Sequence, residues 1–491
     1  MNQWRCWSLF LGLSFGSAAC TKENPAYHCQ NSTCIDPAFP YCDADGSIGG
    51  TAGVCIAVTC TAGEFGKCSG DSALTCNDTG TGYVETQCAH GCDEGTGCKL
   101  CEANQTVCEN GVVASCDANG AQTATENCPL GCFEDQPRCR DIDPANHLGT
   151  YMDMNKTPPD LDLSTGDWYV LNDAAGTISG PQSATVVVPN YVVNQPGGGP
   201  RIHVYVVNSL KLGSVYIAGP APISESQATV FLASGDVNIS GPVRLDYHAG
   251  GYADRTCAGA QGFSTFAQSN GAIQGYGPGG GGAVAAGAHG GIVDDGLAGA
   301  ARLGGAPFGV DSLEPLVGGC YGGGYDNSAN GGDVYEYGAG GGGALQITSR
   351  KSITIAGRVS SDGSDGTAGG QGPGTTTTFG GGGGGSILLE APIVTLAANS
   401  MLSAAGGRGF GCDPPNEFCG GRGQGGTATA APTPGGNLQF VIAAGANAEF
   451  YAGGGGGSVG RIRVNTPTST YSADSSATLN ASVTTGTVKT R

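Results

Sequence analysis

The feature that most constrains this sequence is a repeat of six cysteines. Sixteen of the 22 cysteines lie between Cys29 and Cys139, and twelve of them form two copies whose matched positions are 40 or 41 residues apart. The copies are Cys60, Cys68, Cys76, Cys88, Cys92 and Cys98, followed by Cys101, Cys108, Cys116, Cys128, Cys132 and Cys139. Six aligned cysteines at a constant period indicate two copies of one small folding unit. Four earlier cysteines predict a related module with two bridges: Cys29, Cys34, Cys42 and Cys55.

Two chemistries could explain this spacing, disulfide bonding and zinc binding. The separation of Cys88 from Cys92 fits zinc ligands, and His28 and His90 lie nearby. However, the second copy has Leu130 where the first has His90, so a histidine ligand common to both copies is excluded. Small exported domains rely on disulfides because their apolar cores are too small for stability. The sequence therefore predicts three disulfides per copy on short β-hairpins, with the connectivity open.

The first twenty residues predict an export signal. Arg5 precedes a short apolar run, and the small residues 17–19 stand directly before Cys20. This pattern resembles bacterial lipoproteins, whose first mature residue is a cysteine that receives acyl chains such as palmitate. The resemblance implies a lipid on Cys20 and, from Thr21 in the next position, an outer-membrane or cell-surface location.

Cysteine counting bears on the alternative, ordinary secretion, in which Cys20 stays an unmodified thiol. Removal of Cys6 with the signal leaves 21 cysteines, an odd number for an oxidising compartment. Lipidation of Cys20 leaves 20, an even number, and so favours the lipoprotein. The last four cysteines predict two further bridges, Cys257 with Cys320 and Cys412 with Cys419.

Beyond Cys139 the sequence changes to alternating, β-branched segments separated by glycine. Three segments, 230–243, 345–359 and 387–401, share a short strand, a break, a pair of alternate apolar residues and a turn, and each leads into glycine. This pattern is typical of one coil of a solenoid, in which inward apolar residues stack on the next coil. The segments resemble rungs of right-handed parallel β-helices. An antiparallel β-sandwich has similar strand content and is the alternative.

The sequence thus predicts an all-β protein, with small disulfide-rich tandem modules followed by a parallel β-solenoid with glycine-rich insertions. The expected divisions are a signal peptide at 1–19, a lipid-anchored N-terminus and first module at 20–59, cysteine repeats at 60–99 and 100–140, a linker at 141–165 and the glycine-rich solenoid at 166–491.

Glycine supplies 91 of the 491 residues, and its longest runs keep a fixed register to the strands. An aromatic residue, a glycine run and then Ala or Ser recur four times, beginning at Tyr276, Tyr337, Phe379 and Tyr451. Chains without side chains can lie very close together, as extended polyglycine or as bundled helices of three residues per turn. The motif resembles the glycine-rich domains of certain surface proteins and receptors, and flexible loops are the alternative. The four aromatic residues predict core packing, with stacking on sugar rings as the alternative.

Charge and motifs limit the function. The formal net charge of −20 opposes binding to nucleic acid or adsorption to anionic membranes. The strongest enzymatic candidate is the pair Asp362 and Asp365, which could hold Ca²⁺ with Arg350, Lys351 or Arg358 beside it, as in β-helix lyases. Asp-Gly pairs are also ordinary turn residues, so we assign no catalytic, cofactor-binding or metal-binding residue.

The order of the regions along the chain indicates a general function. It resembles predicted outer-membrane lipoproteins in which cysteine-rich modules precede a glycine-rich β domain. That resemblance implies a non-catalytic cell-surface protein with a structural or adhesive role, or one that binds a surface polysaccharide or a protein. The alternative is an extracellular, polysaccharide-acting β-helix enzyme, either a lyase or a hydrolase.

Overall fold

A computed structural model of the chain describes most of residues 28–491. The positions that it leaves out after residue 27 are 30–32, 45–50, 58, 100, 119, 121, 155–156, 172–175, 197, 219–226, 246–265, 270–271, 276–278, 292, 295–302, 327–333, 367–368, 371–375, 378, 412–421, 428, 435–437, 440–449 and 452–453. The chain divides into two compact units, Met1–Cys139 and Arg140–Arg491.

The first unit consists of small modules of antiparallel strands. Its strands are β1 (Tyr41–Asp43), β2 (Val54–Ile56), β3 (Phe65–Ser69), β4 (Ser72–Cys76), β5 (Tyr83–Gln87), β6 (Cys92–Asp93), β7 (Gly97–Cys98), β8 (Thr106–Glu109), β9 (Val112–Cys116) and β10 (Gln122–Asn127). β1 and β2 form a hairpin, and the two cysteine repeats each fold as a three-stranded sheet with β4 or β9 in the centre. Local turn chemistry favours these hairpins. Between β8 and β9, Asn110 and Gly111 both have positive φ angles, 51° and 76°, which is typical of a tight two-residue hairpin turn.

Disulfide bonds hold each module together, as the sequence predicts. In both repeats the first cysteine pairs with the third, the second with the fifth and the fourth with the sixth. The bonds are Cys60–Cys76, Cys68–Cys92 and Cys88–Cys98, then Cys101–Cys116, Cys108–Cys132 and Cys128–Cys139. The first module has Cys29–Cys42 and Cys34–Cys55. The identical connectivity shows that the repeated spacing encodes a repeated fold.

The second unit is almost entirely β. Its described residues contain one short helix, α1 (Gly149–Met154), and 3-10 segments at Ala145–His147 and Pro181–Ser183. Its strands are β11 (Ile142–Asp143), β12 (Leu161–Leu171), β13 (Ile178–Ser179), β14 (Thr185–Val186), β15 (Asn190–Val193), β16 (Arg201–Val207), β17 (Leu210–Ala218), β18 (Gln227–Ala233), β19 (Val237–Ile239), β20 (Pro242–Leu245), β21 (Phe266–Ser269), β22 (Ala272–Gly275), β23 (Val293–Asp294), β24 (Gly323–Asp326), β25 (Val334–Tyr337), β26 (Ala344–Ser349), β27 (Ser352–Ile355), β28 (Arg358–Ser360), β29 (Gly369–Gly370), β30 (Thr376–Thr377), β31 (Ser386–Glu390), β32 (Ile393–Leu396), β33 (Met401–Ser403), β34 (Leu438–Gln439), β35 (Phe450–Tyr451), β36 (Arg461–Thr466), β37 (Ser472–Ala473), β38 (Thr478–Leu479), β39 (Val483–Thr487) and β40 (Lys489–Thr490).

Two large sheets form a parallel solenoid. The seven-stranded sheet has the order β15-β16-β18-β26-β31-β36-β39, and the twelve-stranded sheet contains β12, β17, β19, β20, β27, β28 and their neighbours. Successive coils stack in register, so that Phe231 lies beside Ile347, Ile347 beside Leu389 and Leu389 beside Val464. All four side chains are buried in one core cluster. Because these pairings are parallel, they confirm the solenoid and exclude the antiparallel sandwich.

The glycine-rich insertions occupy the same place in each coil. They connect β20 to β26, β28 to β31 and β33 to β36. Each insertion therefore leaves the twelve-stranded sheet and returns to the seven-stranded sheet at the same point of the coil.

The segment 141–165, for which the sequence predicts a linker, is structured. It contains β11, α1 and the first half of β12, and β11 pairs with the C-terminal β40. Ile142, Leu148 and Met152 are at most 1% exposed. Residues 142–154, which we call the strap, cover part of the outer face of the seven-stranded sheet through Ala145 and Asn146. Because that face carries apolar residues such as Leu388, fully buried as well, its cover removes apolar surface from water.

Candidate functional site

The cysteines that could have been zinc ligands are oxidised. Cys88 and Cys92 lie in two different disulfides. Within the described part of the chain, the sulfur atoms of Cys29, Cys34 and Cys55 form the one cluster close enough to hold a metal, and all three residues are disulfide-bonded. Eight disulfides in so short a stretch indicate an oxidising environment, extracellular or periplasmic.

Several residues that the sequence singles out lie outside the described residues. These are Cys20, Cys257, Cys412 and Cys419. Cys320 is buried and disulfide-bonded. Among the aromatic residues beside the glycine runs, Phe379 is half-buried, whereas the side chains of Tyr276, Tyr337 and Tyr451 lie outside the description.

We expect the long-range bridges of the modules to stabilise them measurably. Replacing both Cys108 and Cys132 with serine opens a bridge that spans 24 residues, and we expect a loss of about 2 kcal/mol in the free energy of unfolding, because the unfolded chain regains conformational freedom. Urea unfolding of the wild type and the double variant measures this difference. A non-reducing peptide map of the wild type should recover Cys108–Cys132, and any other pairing would contradict the connectivity.

Asp362 and Asp365, which the sequence offers as the strongest enzymatic candidate, make structural contacts. Asp362 accepts hydrogen bonds from the hydroxyl of Ser403, from the backbone N–H of Ala405 at 2.8 Å and from Arg358 at 2.8 Å. Ser403 belongs to the next coil, so the carboxylate ties two coils together.

Asp365 makes the same kind of link. It accepts the backbone N–H and the guanidinium of Arg408, at 2.8, 2.9 and 2.6 Å. Burial alone raises the pKa of Asp365, but the hydrogen bonds from Arg408 outweigh it and leave the pKa below its ordinary value. Arg350 does not join this turn, because it pairs with Asp141 and Asp153 at 2.6 Å. The structure therefore gives these residues a role in holding coils and strap in place.

The glycine runs form a bundle around one central segment, residues 380–385. Backbone N–H groups three residues apart in this segment donate hydrogen bonds to the same neighbouring segment. Gly380 and Gly383 donate to 319–323 at 3.1 and 2.8 Å, Gly381 and Gly384 donate to 455–458 at 3.0 and 2.8 Å, and Gly382 and Gly385 donate to 361–364 at 3.0 and 2.7 Å. A period of three residues is that of the polyglycine helix, and it identifies the bundled arrangement.

Three further segments donate to the carbonyl groups of the central segment. Gly281, Gly342 and Gly407 donate to the carbonyls of Gly381, Gly383 and Gly382, each at 2.8 Å. The central segment is therefore surrounded by six neighbours, three that accept its amide protons and three that donate to its carbonyls. We call this assembly the glycine bundle. Its backbone groups are satisfied between segments, which an extended chain cannot do within itself.

Close approach explains why the bundle needs glycine. A Cβ atom built on Gly380, Gly381 or Gly382 would overlap a backbone carbonyl oxygen of a neighbouring segment. The direction of the added Cβ again repeats every three residues, since a Cβ on either Gly380 or Gly383 would meet the segment 279–282. None of the described residues in 380–385 has a positive φ angle, so packing and not backbone conformation imposes the glycines.

A buried carboxyl group lies beneath the strap. Glu390, at the end of β31, is 2% exposed. Its Oε2 accepts the backbone N–H of Ala145 at 3.0 Å, the amide of Gln346 at 2.9 Å and the hydroxyl of Thr348 at 3.0 Å. Its Oε1 accepts the amide of Asn465 at 3.1 Å. Burial raises the pKa of Glu390 despite these donors. A charged residue in the apolar run 387–391 is the sequence signal that could have identified this site.

A groove lined by polar and aromatic residues lies on the outer face of the twelve-stranded sheet. It has a volume of about 360 Å³, and Asp167, Tyr169, Ser214, Tyr216 and Arg244 contribute to its lining. The two tyrosine rings are 6.0 Å apart at an angle of 69°. We call it the tyrosine groove.

The sequence reasoning missed this groove, although a signal was present. Tyr169 alternates with the buried Trp168 and Val170, and Tyr216 alternates with the buried Val215 and Ile217. Alternation on a strand places such residues on opposite faces. Both tyrosines could therefore have been assigned to the outer face from the sequence alone.

None of the described helices is long and apolar enough to span a membrane. Comparison of the chain with protein-family models, with curated proteins and with solved structures finds no match.

Proposed function

We propose that the protein is a lipid-anchored surface protein of the outer membrane, attached through Cys20, with a structural or adhesive role that includes glycan binding. The oxidised modules support a location outside the cytoplasm. Small residues before Cys20 and the odd number of cysteines left after removal of Cys6 support lipidation.

The observation that best supports a non-catalytic role is that the candidate acidic residues are engaged in structural contacts. Asp362 and Asp365 link coils through hydrogen bonds and ion pairs, and Arg350 is engaged by Asp141 and Asp153. A solenoid enzyme needs carboxylates and a base directed at one substrate, whereas these groups are directed at each other. A hydrogen-bonded glycine bundle on a solenoid suits a rigid surface element better.

Detergent phase partitioning tests the anchor. We expect the wild type in the detergent phase, with an N-terminal peptide whose mass includes acyl chains on Cys20, because acyl chains partition into apolar phases. Cys20→Ser should move to the aqueous phase. Cys6→Ser is the matched control, since Cys6 leaves with the signal, and it should partition like the wild type. An unmodified Cys20 in the mature wild type would remove the anchor and leave secretion.

A further inference from the structure

The tyrosine groove is built from three adjacent coils. Tyr169 on β12 pairs in parallel register with Tyr216 on β17, and Tyr216 pairs with Arg244 on β20. Two residues earlier along the same strands, and so on the same face, Asp167 lies beside Ser214. Two neighbouring columns of the sheet thus bring two aromatic rings, one carboxylate, one hydroxyl and one guanidinium onto one surface.

Both tyrosine rings of the groove are partly exposed to solvent, although they lie on paired strands. Tyr169 is 50% exposed and Tyr216 is 38% exposed, whereas Val170 and Ile217, which follow them, are fully buried. Aromatic rings left half in water on a rigid sheet, each with a polar hydroxyl end, are typical of contact surfaces with amphipathic ligands. The angle of 69° between the rings means that their faces point in different directions.

We propose that the tyrosine groove binds a neutral hexopyranose unit of a polysaccharide. The C–H face of a pyranose ring packs on a tyrosine ring, and its hydroxyl groups need both acceptors and donors around the edge. Asp167 supplies the acceptor, Arg244 supplies donors and Ser214 supplies either. A groove with an aromatic floor and few polar groups at its rim is the usual design of a small-ligand site.

Charge selects a neutral sugar over an acidic one. One carboxylate and one guanidinium line the groove, so its local charge is balanced, and the chain as a whole carries −20. A polyanion would meet general repulsion from such a protein at low ionic strength. Neutral polysaccharides avoid this repulsion and still use both charged groups as hydrogen-bond partners.

The site is also preorganised. Both tyrosines lie inside long paired strands, with backbone hydrogen bonds on either side, and a tyrosine side chain has only two rotatable bonds to order. Binding therefore loses little conformational entropy, which favours affinity for a ligand with a small contact area. The inference rests on the surface role proposed above and assigns its ligand class.

Affinity electrophoresis of the purified full-length protein in gels containing dextran, laminarin, galactomannan or alginate tests the site. We expect at least one neutral polysaccharide to retard the wild type and alginate to have no effect. Tyr169→Ala and Tyr216→Ala should each weaken retardation at least about tenfold, because each removes an aromatic contact surface. Tyr169→Phe keeps the ring and should stay within about threefold of the wild type.

Tyr83→Ala is the matched control, because Tyr83 is 48% exposed but belongs to the first unit, and it should bind like the wild type. Equal thermal midpoints for all variants establish that they are folded. Retardation that survives Tyr169→Ala combined with Tyr216→Ala overturns this site while glycan binding stands. Retardation by alginate alone, or by none of the four polymers, overturns the ligand class. Partitioning of the Cys20 variants reports separately on the surface anchor.

Discussion

Replacing Gly382 by alanine is expected to lower the free energy of unfolding of the second unit by about 3 kcal/mol or more, at the upper end of overpacking effects. The new Cβ would overlap the carbonyl oxygen of Gly340, a backbone atom that no side-chain rotation can move. Gly382 also donates to Ser364 and accepts from Gly407, so the central segment cannot shift away from one neighbour without losing hydrogen bonds to the others.

Urea unfolding and amide hydrogen exchange measure this effect. The amides of the central segment should exchange slowly in the wild type and quickly in Gly382→Ala, because exchange requires the hydrogen bonds to open. Gly82→Ala is the control for a generic loss of glycine, since a Cβ there meets only the side-chain nitrogen of Asn77, at 3.9 Å. It should change stability by no more than about 1 kcal/mol. Equal stability of Gly382→Ala and the wild type would mean that the glycine runs are loops and not a packed bundle.

Much of this fold could be predicted from local patterns in the sequence. The cysteine spacing predicts the modules because each bridge closes within 24 residues, and the apolar alternation around Phe231, Ile347 and Leu389 predicts the coils because their inward side chains stack directly. The pairing of cysteines did not follow, because six identical thiols allow many combinations.

Contacts between residues far apart in the sequence were harder to predict. Ala145 donates to Glu390 across 245 residues of sequence, so nothing local to either residue shows that the strap covers the sheet. The sequence shows the composition of the glycine runs and their register relative to the strands. It does not show which runs become neighbours, because glycine has no side chain that could indicate a contact. The tyrosine groove lies between these cases, since alternation places Tyr169 and Tyr216 outward and only the parallel register brings them together.

The second large effect is expected at Glu390. Glu390→Ala should lower the free energy of unfolding by about 3–5 kcal/mol, because it leaves several buried donors without an acceptor, and each unsatisfied group costs about 1–3 kcal/mol. The donors are Ala145, Gln346, Thr348 and Asn465. Loss of the Ala145 bond should also loosen the strap, which faster exchange of the amides in 142–152 would report.

Glu390→Gln separates shape from charge. Glutamine has the shape of the neutral acid and retains an acceptor oxygen, so we expect a loss of only about 1 kcal/mol, that of one hydrogen bond. A loss as large as that of Glu390→Ala would show that the negative charge, and not the acceptor geometry, holds the site together.

The pH dependence of stability follows from the raised pKa of Glu390, caused by its burial and increased by the nearby Glu314. A pKa that is higher in the folded state means that the folded protein holds the proton more tightly than the unfolded chain. The stabilising contribution is therefore complete below the ordinary glutamate pKa and is lost as the pH rises through the folded value. The stability advantage of the wild type over Glu390→Gln should accordingly shrink as the pH is raised from 4 to 8, and this comparison removes the titrations that both proteins share. An advantage that grows with pH would mean that the four donors overcome burial and keep the carboxylate ionised beneath the strap.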